Sequence, residues 1–147
     1  MAVESAALIK VLNKTCLNAL QGAAGLALTR TNPSIEVEHW LVKLVETPNS
    51  DVLRIFRQFE VDPAVVLRDL TKTLDGFRRG VQRNPEISLS IVRLIQSAWV
   101  TASLQYHAPE VRSGVLLLAL LDHEELGRIA RNASRELIKI KPEQLQP

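Results

Sequence analysis

Three histidines, a single cysteine and a cluster of arginines are the side chains in this sequence best suited to chemistry. His123-Glu124 resembles the first half of a zinc-protease helix, where two histidines one turn apart hold the metal and the glutamate acts as base. Gly127 stands where the second histidine belongs, so the metal motif is incomplete. His107 lies in a loop beside Pro109, and Glu38-His39 opens an apolar helix. A histidine at that place is expected to pack or cap, with its ring hydrogen-bonded to backbone of the preceding loop. The enzymatic alternative is a helical phosphotransfer or hydrolase domain using His39. That needs the imidazole in solvent among acidic or polar neighbours, and the apolar Trp40-Leu41-Val42 that follows argues against it.

Cys16 has no disulfide partner, which fits a reducing compartment. It falls in an apolar helical run and is expected to behave as a small buried hydrophobe. No Gly-x-x-x-x-Gly-Lys-Ser/Thr phosphate loop and no Gly-x-Ser-x-Gly elbow occurs. Arg78, Arg79 and Arg83 cluster, but Gly76, Gly80 and Pro85 surround them and no aromatic side chains interleave for base stacking. A solvated connector fits them better than a phosphate site, and a net charge of +2 is too small to point to nucleic acid. No catalytic, metal or cofactor site is expected within these residues.

What must position these side chains is a helical unit written twice. Leu20-Gln21-Gly22-Ala23-Ala24 returns as Ile95-Gln96-Ser97-Ala98-Trp99, offset by 75. Ile35 through Val45 returns as Val111 through Leu121, offset by 76, and Val52 through Arg57 as Leu126 through Arg131, offset by 74. Offsets that differ this little mean loop-sized insertions only. A duplicated helical unit buries two similar apolar faces together and requires no catalytic centre, so a binding module is expected. In the second copy Val115 replaces His39, and the unit does not depend on that ring.

A chain of 147 residues suits one domain, and with 4% aromatic residues its core should be aliphatic. Glu4, Lys10 and Lys14 interrupt any signal-peptide core or membrane span near the start. Three- and four-residue spacing predicts helices almost throughout, with Asn13, Ser50 or Asp51, Asp62 and Ser88 as caps and Pro63 at a first helical position. Alternation at period two never persists, so no strands are expected. The fold class is all-α: a pseudo-two-fold bundle of two four-helix repeats with an extra N-terminal helix. One domain spans 1–147, with the extra helix at about 5–12, repeat one at about 13–75, a connector at about 75–88 and repeat two at about 89–147. Ile140-Lys141-Pro142 echoes Val61-Asp62-Pro63, as if a further helix began there, which suggests a domain cut from a longer protein.

This repeat, in length and wording, resembles the double N-terminal repeat of the Clp/Hsp100 ATPases. Glu38-His39-Trp40-Leu41-Val42-Lys43-Leu44-Val45 is similar to that family's Glu-His-Leu-Leu-x-x-Leu-Leu helix, and Ser113 through Leu121 supplies the second copy. The family's usual second histidine is Val115 here. Leu12-Asn13-Lys14-Thr15-Cys16, Ala19 through Leu26, Arg30-Thr31-Asn32, Arg112-Ser113-Gly114 and Ser134-Arg135-Glu136-Leu137 resemble the type VI secretion branch, ClpV (TssH). The resemblance covers nearly the whole chain. It implies a cytoplasmic, bacterial substrate-recognition domain of an AAA+ unfoldase, with ATP and Mg²⁺ bound by modules outside these residues. It implies an N-terminal helix of the large sheath subunit as partner, so that contracted sheath is disassembled by a hexameric ring. The isolated domain is expected to be monomeric. The alternative is another Clp/Hsp100 N-domain that binds a proteolytic adaptor or an aggregated client.

A bundle that grips a helix needs an apolar groove for anchors at i, i+3, i+4 and i+7. Leu8, Val11 and Leu12 on the leading helix precede the repeat, with no counterpart in the second half, and are expected to form one wall. Phe77, Val81, Ile87 and Leu89, from the connector and the helix after it, are expected to form the other.

Overall fold

Caps and apolar spacing produce seven α-helices in the computed structural model, which describes residues 7–145. Asn13 starts α1 (Lys14–Thr29) by accepting the amide of Cys16 at 2.9 Å. α2 (Val37–Glu46) follows, then α3 (Asp51–Gln58), whose cap is Ser50 rather than Asp51. Asp62 and Pro63 open α4 (Pro63–Asp75), and Ser88 opens α5 (Leu89–Leu104). The second copy continues with α6 (Ser113–Asp122) and α7 (Glu124–Ala133). Where the first repeat has α4, the second has two 3₁₀ turns, Arg135–Lys139 and Pro142–Leu145.

α2 and α6 are the centre. Each buries seven of its ten residues, including Trp40, Leu41 and Leu44 on one and Leu116 through Leu121 on the other. Helices apolar on nearly every side must be surrounded, and the repeat surrounds them reciprocally. α1 packs on α2 and α5 on α6, while α3 crosses to α6 of the other half and α7 crosses to α2. The two halves therefore share one core. The Trp40 indole donates to the Cys16 carbonyl at 3.1 Å and ties α2 to α1. Cys16 is fully buried, and burial pushes its thiol up to about 12, so it is chemically quiet.

Strands exist after all, in miniature. Ser34–Ile35 (β1) pairs in parallel with Glu86–Ile87 (β2), and Leu12 bridges Val111 in parallel. The repeat offsets map Leu12 onto Ile87 and Ile35 onto Val111, so the two pairings are the same contact at the two ends of the pseudo-symmetric unit. Each joins the extended residues before one helix cap to those before another. Pairings of one or two residues leave no alternation to detect. Helical conformation in the leading segment covers 7–9, and Leu12 has already become extended; residues 5 and 6 of the expected extra helix lie outside the described residues.

The failed metal motif also has a structural reason. The His123 ring accepts the amide of Leu126 at 3.1 Å and caps α7. A Cβ on Gly127 would stand 2.8 Å from the Leu121 carbonyl oxygen, which is backbone and cannot swing aside. Gly127→Ala gains up to about 1 kcal/mol of helix propensity but overpacks this contact at about 1–3 kcal/mol. We expect a net lowering of the midpoint in a thermal melt; an unchanged or raised midpoint would refute the close approach.

Candidate functional site

His39 sits at the third position of α2, fully buried. Its Nδ1 accepts the Glu36 amide at 2.9 Å, so that nitrogen carries the lone pair and Nε2 carries the proton. Nε2–H donates to Asn32 Oδ1 at 2.8 Å, and the Asn32 side-chain amide donates to the Arg78 carbonyl at 2.8 Å. The relay joins the exit of α1, the start of α2 and the connector after α4. Nearby, the Gly80 amide donates to Thr31 Oγ1 at 2.8 Å and the Val81 amide to the Thr31 carbonyl at 3.1 Å. The Phe77 ring meets the imidazole edge-on, with centroids 5.6 Å apart. His39 is thus a structural capping group, as its place before an apolar helix suggests, and a solvent-facing catalytic role is inconsistent with its burial. Asn32, buried and central to the relay, carries only a turn signal in Thr31-Asn32-Pro33-Ser34.

Outside this relay lies a trough of about 480 Å³. Its walls come from Asn32, Pro33 and Ser34 at the α1 exit, Glu36, Val37 and Glu38 at the α2 start, and Gly76, Phe77 and Arg78 on the connector. Ser90 of α5 and Ile129 of α7 close it. Two carboxylate residues, Glu36 and Glu38, and one guanidinium residue, Arg78, are among its lining. Burial raises the Glu38 carboxyl above its ordinary value; its backbone hydrogen bond opposes this and the nearby Glu36 charge adds to it. Among the described residues no group of three or more His, Cys, Asp or Glu side chains could hold a metal ion, and no helix is long and apolar enough to cross a membrane.

Of the seven residues expected to line one groove, Phe77 alone lines this trough. Leu89, 58% exposed, stands next to the lining residue Ser90. Ile87 is half-buried in the β-pairing with Ile35, and Val81 is half-buried over Thr31. Leu8 and Val11 are half-buried against the core, while Leu12 is 5% exposed. Leu12 precedes α1 and the Asn32–Ile35 loop follows it, so sixteen helical residues, about 24 Å at 1.5 Å per residue, lie between Leu12 and the Ile35–Ile87 pairing. Leu12 has a counterpart in the other half, because the Leu12–Val111 pairing repeats as Ile87–Ile35, whereas Leu8 and Val11 fall opposite Arg83 and Glu86.

The buried ring makes acid stability predictable. Burial, with the Arg30 charge second, lowers the His39 pKa from 6.5 to about 4. The unfolded chain therefore takes up this proton first as pH falls. The stability contributed is complete above about pH 6.5 and is lost between there and about pH 4, up to roughly 3 kcal/mol. Urea unfolding across that window should show this slope and His39→Gln should flatten it; an equal slope in the variant would assign the proton elsewhere.

Comparison with known proteins adds the family. Residues 12–133 match the Clp repeat (R) N-terminal domain. Over 143 residues the chain is 32% identical to the AAA+ ATPase ClpV1 of Pseudomonas aeruginosa, and over 145 residues 34% identical to the chaperone protein ClpB of Yersinia enterocolitica. It is covered to 97% and 99% in these alignments and spans 16% of the length of either relative. The N-terminal domain of ClpV1 from the E. coli EAEC Sci1 type VI secretion system superposes with a TM-score of 0.87 at 35% identity, covering 98% of this chain and 86% of that one. A complex of a ClpV N-domain with a VipB peptide superposes at 0.76 with 30% identity, covering 96% and 86%. Fold, repeat and motif agree with these matches, and the chain belongs to the Clp N-terminal repeat domain family, with ClpV N-domains among its similar structures.

Proposed function

We propose that this domain recognises an N-terminal helix of the large sheath subunit of a type VI secretion system. On this reading it delivers contracted sheath, in the bacterial cytoplasm, to a hexameric ATPase ring for disassembly. The observation that carries the reading is the solved complex of a similar ClpV N-domain with a VipB peptide. The Phe77 trough is the docking surface that fits it best: it is concave, it has an apolar floor in Val37, Phe77 and Ile129, and it lies beside the exposed Leu89. Nucleotide and Mg²⁺ would be held by modules outside these residues, and this domain's part is recognition.

Weak binding suits that task. Two or three helix side chains buried in the trough contribute roughly 1.5–3 kcal/mol each before ordering costs. A micromolar complex requires about 8 kcal/mol, and several such sites on one ring add avidity. The identity to ClpB favours a second reading, a domain that binds aggregated clients or an adaptor. A pull-down comparing contracted sheath with an unfolded client protein separates the two.

Phe77→Asp is expected to weaken binding of a sheath N-terminal peptide by about tenfold or more in titration calorimetry, with a helical far-UV spectrum retained. Leu12→Asp, which places a charge in the core, should instead lose the fold. Full affinity in a folded Phe77→Asp domain would move the site elsewhere.

A further inference from the structure

A second trough, of about 390 Å³, lies on the other copy of the repeat. Its walls occupy repeat-equivalent positions: Arg112 and Gly114 stand where the first trough has Glu36 and Glu38, and Ile55 stands where the first has Ile129. At these three positions the two troughs share a scaffold, and the balance of charge in their linings is reversed. Here two guanidiniums, Arg54 and Arg112, face a single carboxylate, Asp51.

That carboxylate is already committed inside the protein. Asp51 accepts Arg112 Nε at 3.0 Å and Nη2 at 2.9 Å, Arg54 Nη1 at 3.2 Å and the Gly114 amide at 3.4 Å. The Arg112 hydrogen bond is the main reason its carboxyl is held below the ordinary range. The arginine side chains remain 62% and 61% exposed against 19% for Asp51. Each guanidinium carries five N–H donors, and these contacts use only some of them. Among the residues that line the trough the charge is net positive, two guanidiniums to one carboxylate; the exposed Glu110, outside the lining, also acts on Arg112. Below it, Ile55, Val115, Leu118 and the Tyr106 ring form an apolar floor. Val115 replaces the His39 position here, and without an imidazole–asparagine relay the floor is left without that polar element.

We propose that this trough is a second docking site, for a protein partner's amphipathic segment whose apolar side chains are flanked by carboxylates. The apolar residues seat on Val115 and Ile55, and the carboxylates reach the free N–H groups of Arg54 and Arg112, where a guanidinium binds in two-pronged fashion. Charge complementarity selects this occupant and disfavours a basic helix. The proposal uses nothing of the sheath assignment and stands apart from it.

The probe is a synthetic amphipathic helix with leucines at three- and four-residue spacing and glutamates beside them, together with its twin carrying lysines for the glutamates. Calorimetry and backbone amide shift mapping on the intact domain read the outcome. The glutamate peptide should bind with shifts at Arg54, Arg112 and Val115, lose affinity as salt rises, and bind about tenfold or more tightly than its lysine twin. Arg54→Glu and Val115→Glu should each weaken it about tenfold, whereas Phe77→Asp should leave it unchanged. Equal affinity for the two peptides, absence of binding, indifference to both Arg54→Glu and Val115→Glu, or shifts confined to the Phe77 trough would each overturn the proposal.

Discussion

Two helices with almost no polar face, α2 and α6, must both be hidden from water, and that constraint organises the molecule. A ten-residue helix has too little surface to hide its own apolar sides, so each needs neighbours on several flanks. The duplication supplies them in pairs. By sending α3 across to α6 and α7 across to α2, it makes neither half able to complete its core alone. The parallel pairings at Leu12–Val111 and Ile35–Ile87 then fix where the helices begin. These contacts bind one half to the other at both ends of the unit.

On that shared frame the copies have diverged at their surfaces and at buried positions, His39 among them. His39 holds the first trough's loop, helix start and connector together through Asn32 and Arg78. Its counterpart Val115 does none of this, and there the Asp51–Arg112 ion pair connects the halves instead. A buried neutral imidazole gives orientation through two directed hydrogen bonds, whereas an exposed ion pair leaves donors available to a ligand. The consequence is two troughs of comparable volume, one lined by two carboxylates and a guanidinium and the other by two guanidiniums and a carboxylate.

Much of the local structure was legible from short-range physics. Asn13, Ser50, Asp62 and Ser88 each cap the helix their side chains suggested, since an oxygen two or three residues before an orphan amide acts locally. The histidine at position 39 met backbone of the preceding loop as expected. Two expectations failed for one reason. Leu12 looked like a helical stripe residue, and β1 and β2 were not anticipated, because their conformation is decided by partners 99 and 52 residues away in the chain. His123 as a cap was missed because a histidine is an uncommon one and its neighbour Glu124 suggested metal chemistry.

The sequence alone therefore determined the repeat, most of the helices, four of their caps and the family, since spacing and side-chain type within a few residues control each of these. The tertiary structure decided which residues share a trough. Glu36, Phe77, Ser90 and Ile129 come together only because four separate segments converge on the ends of α2. It also decided the protonation of His39, which depends on burial among residues no local window contains. Of the seven residues grouped by hydrophobicity Phe77 alone lines that trough, because hydrophobicity gives a tendency to be buried without giving a place.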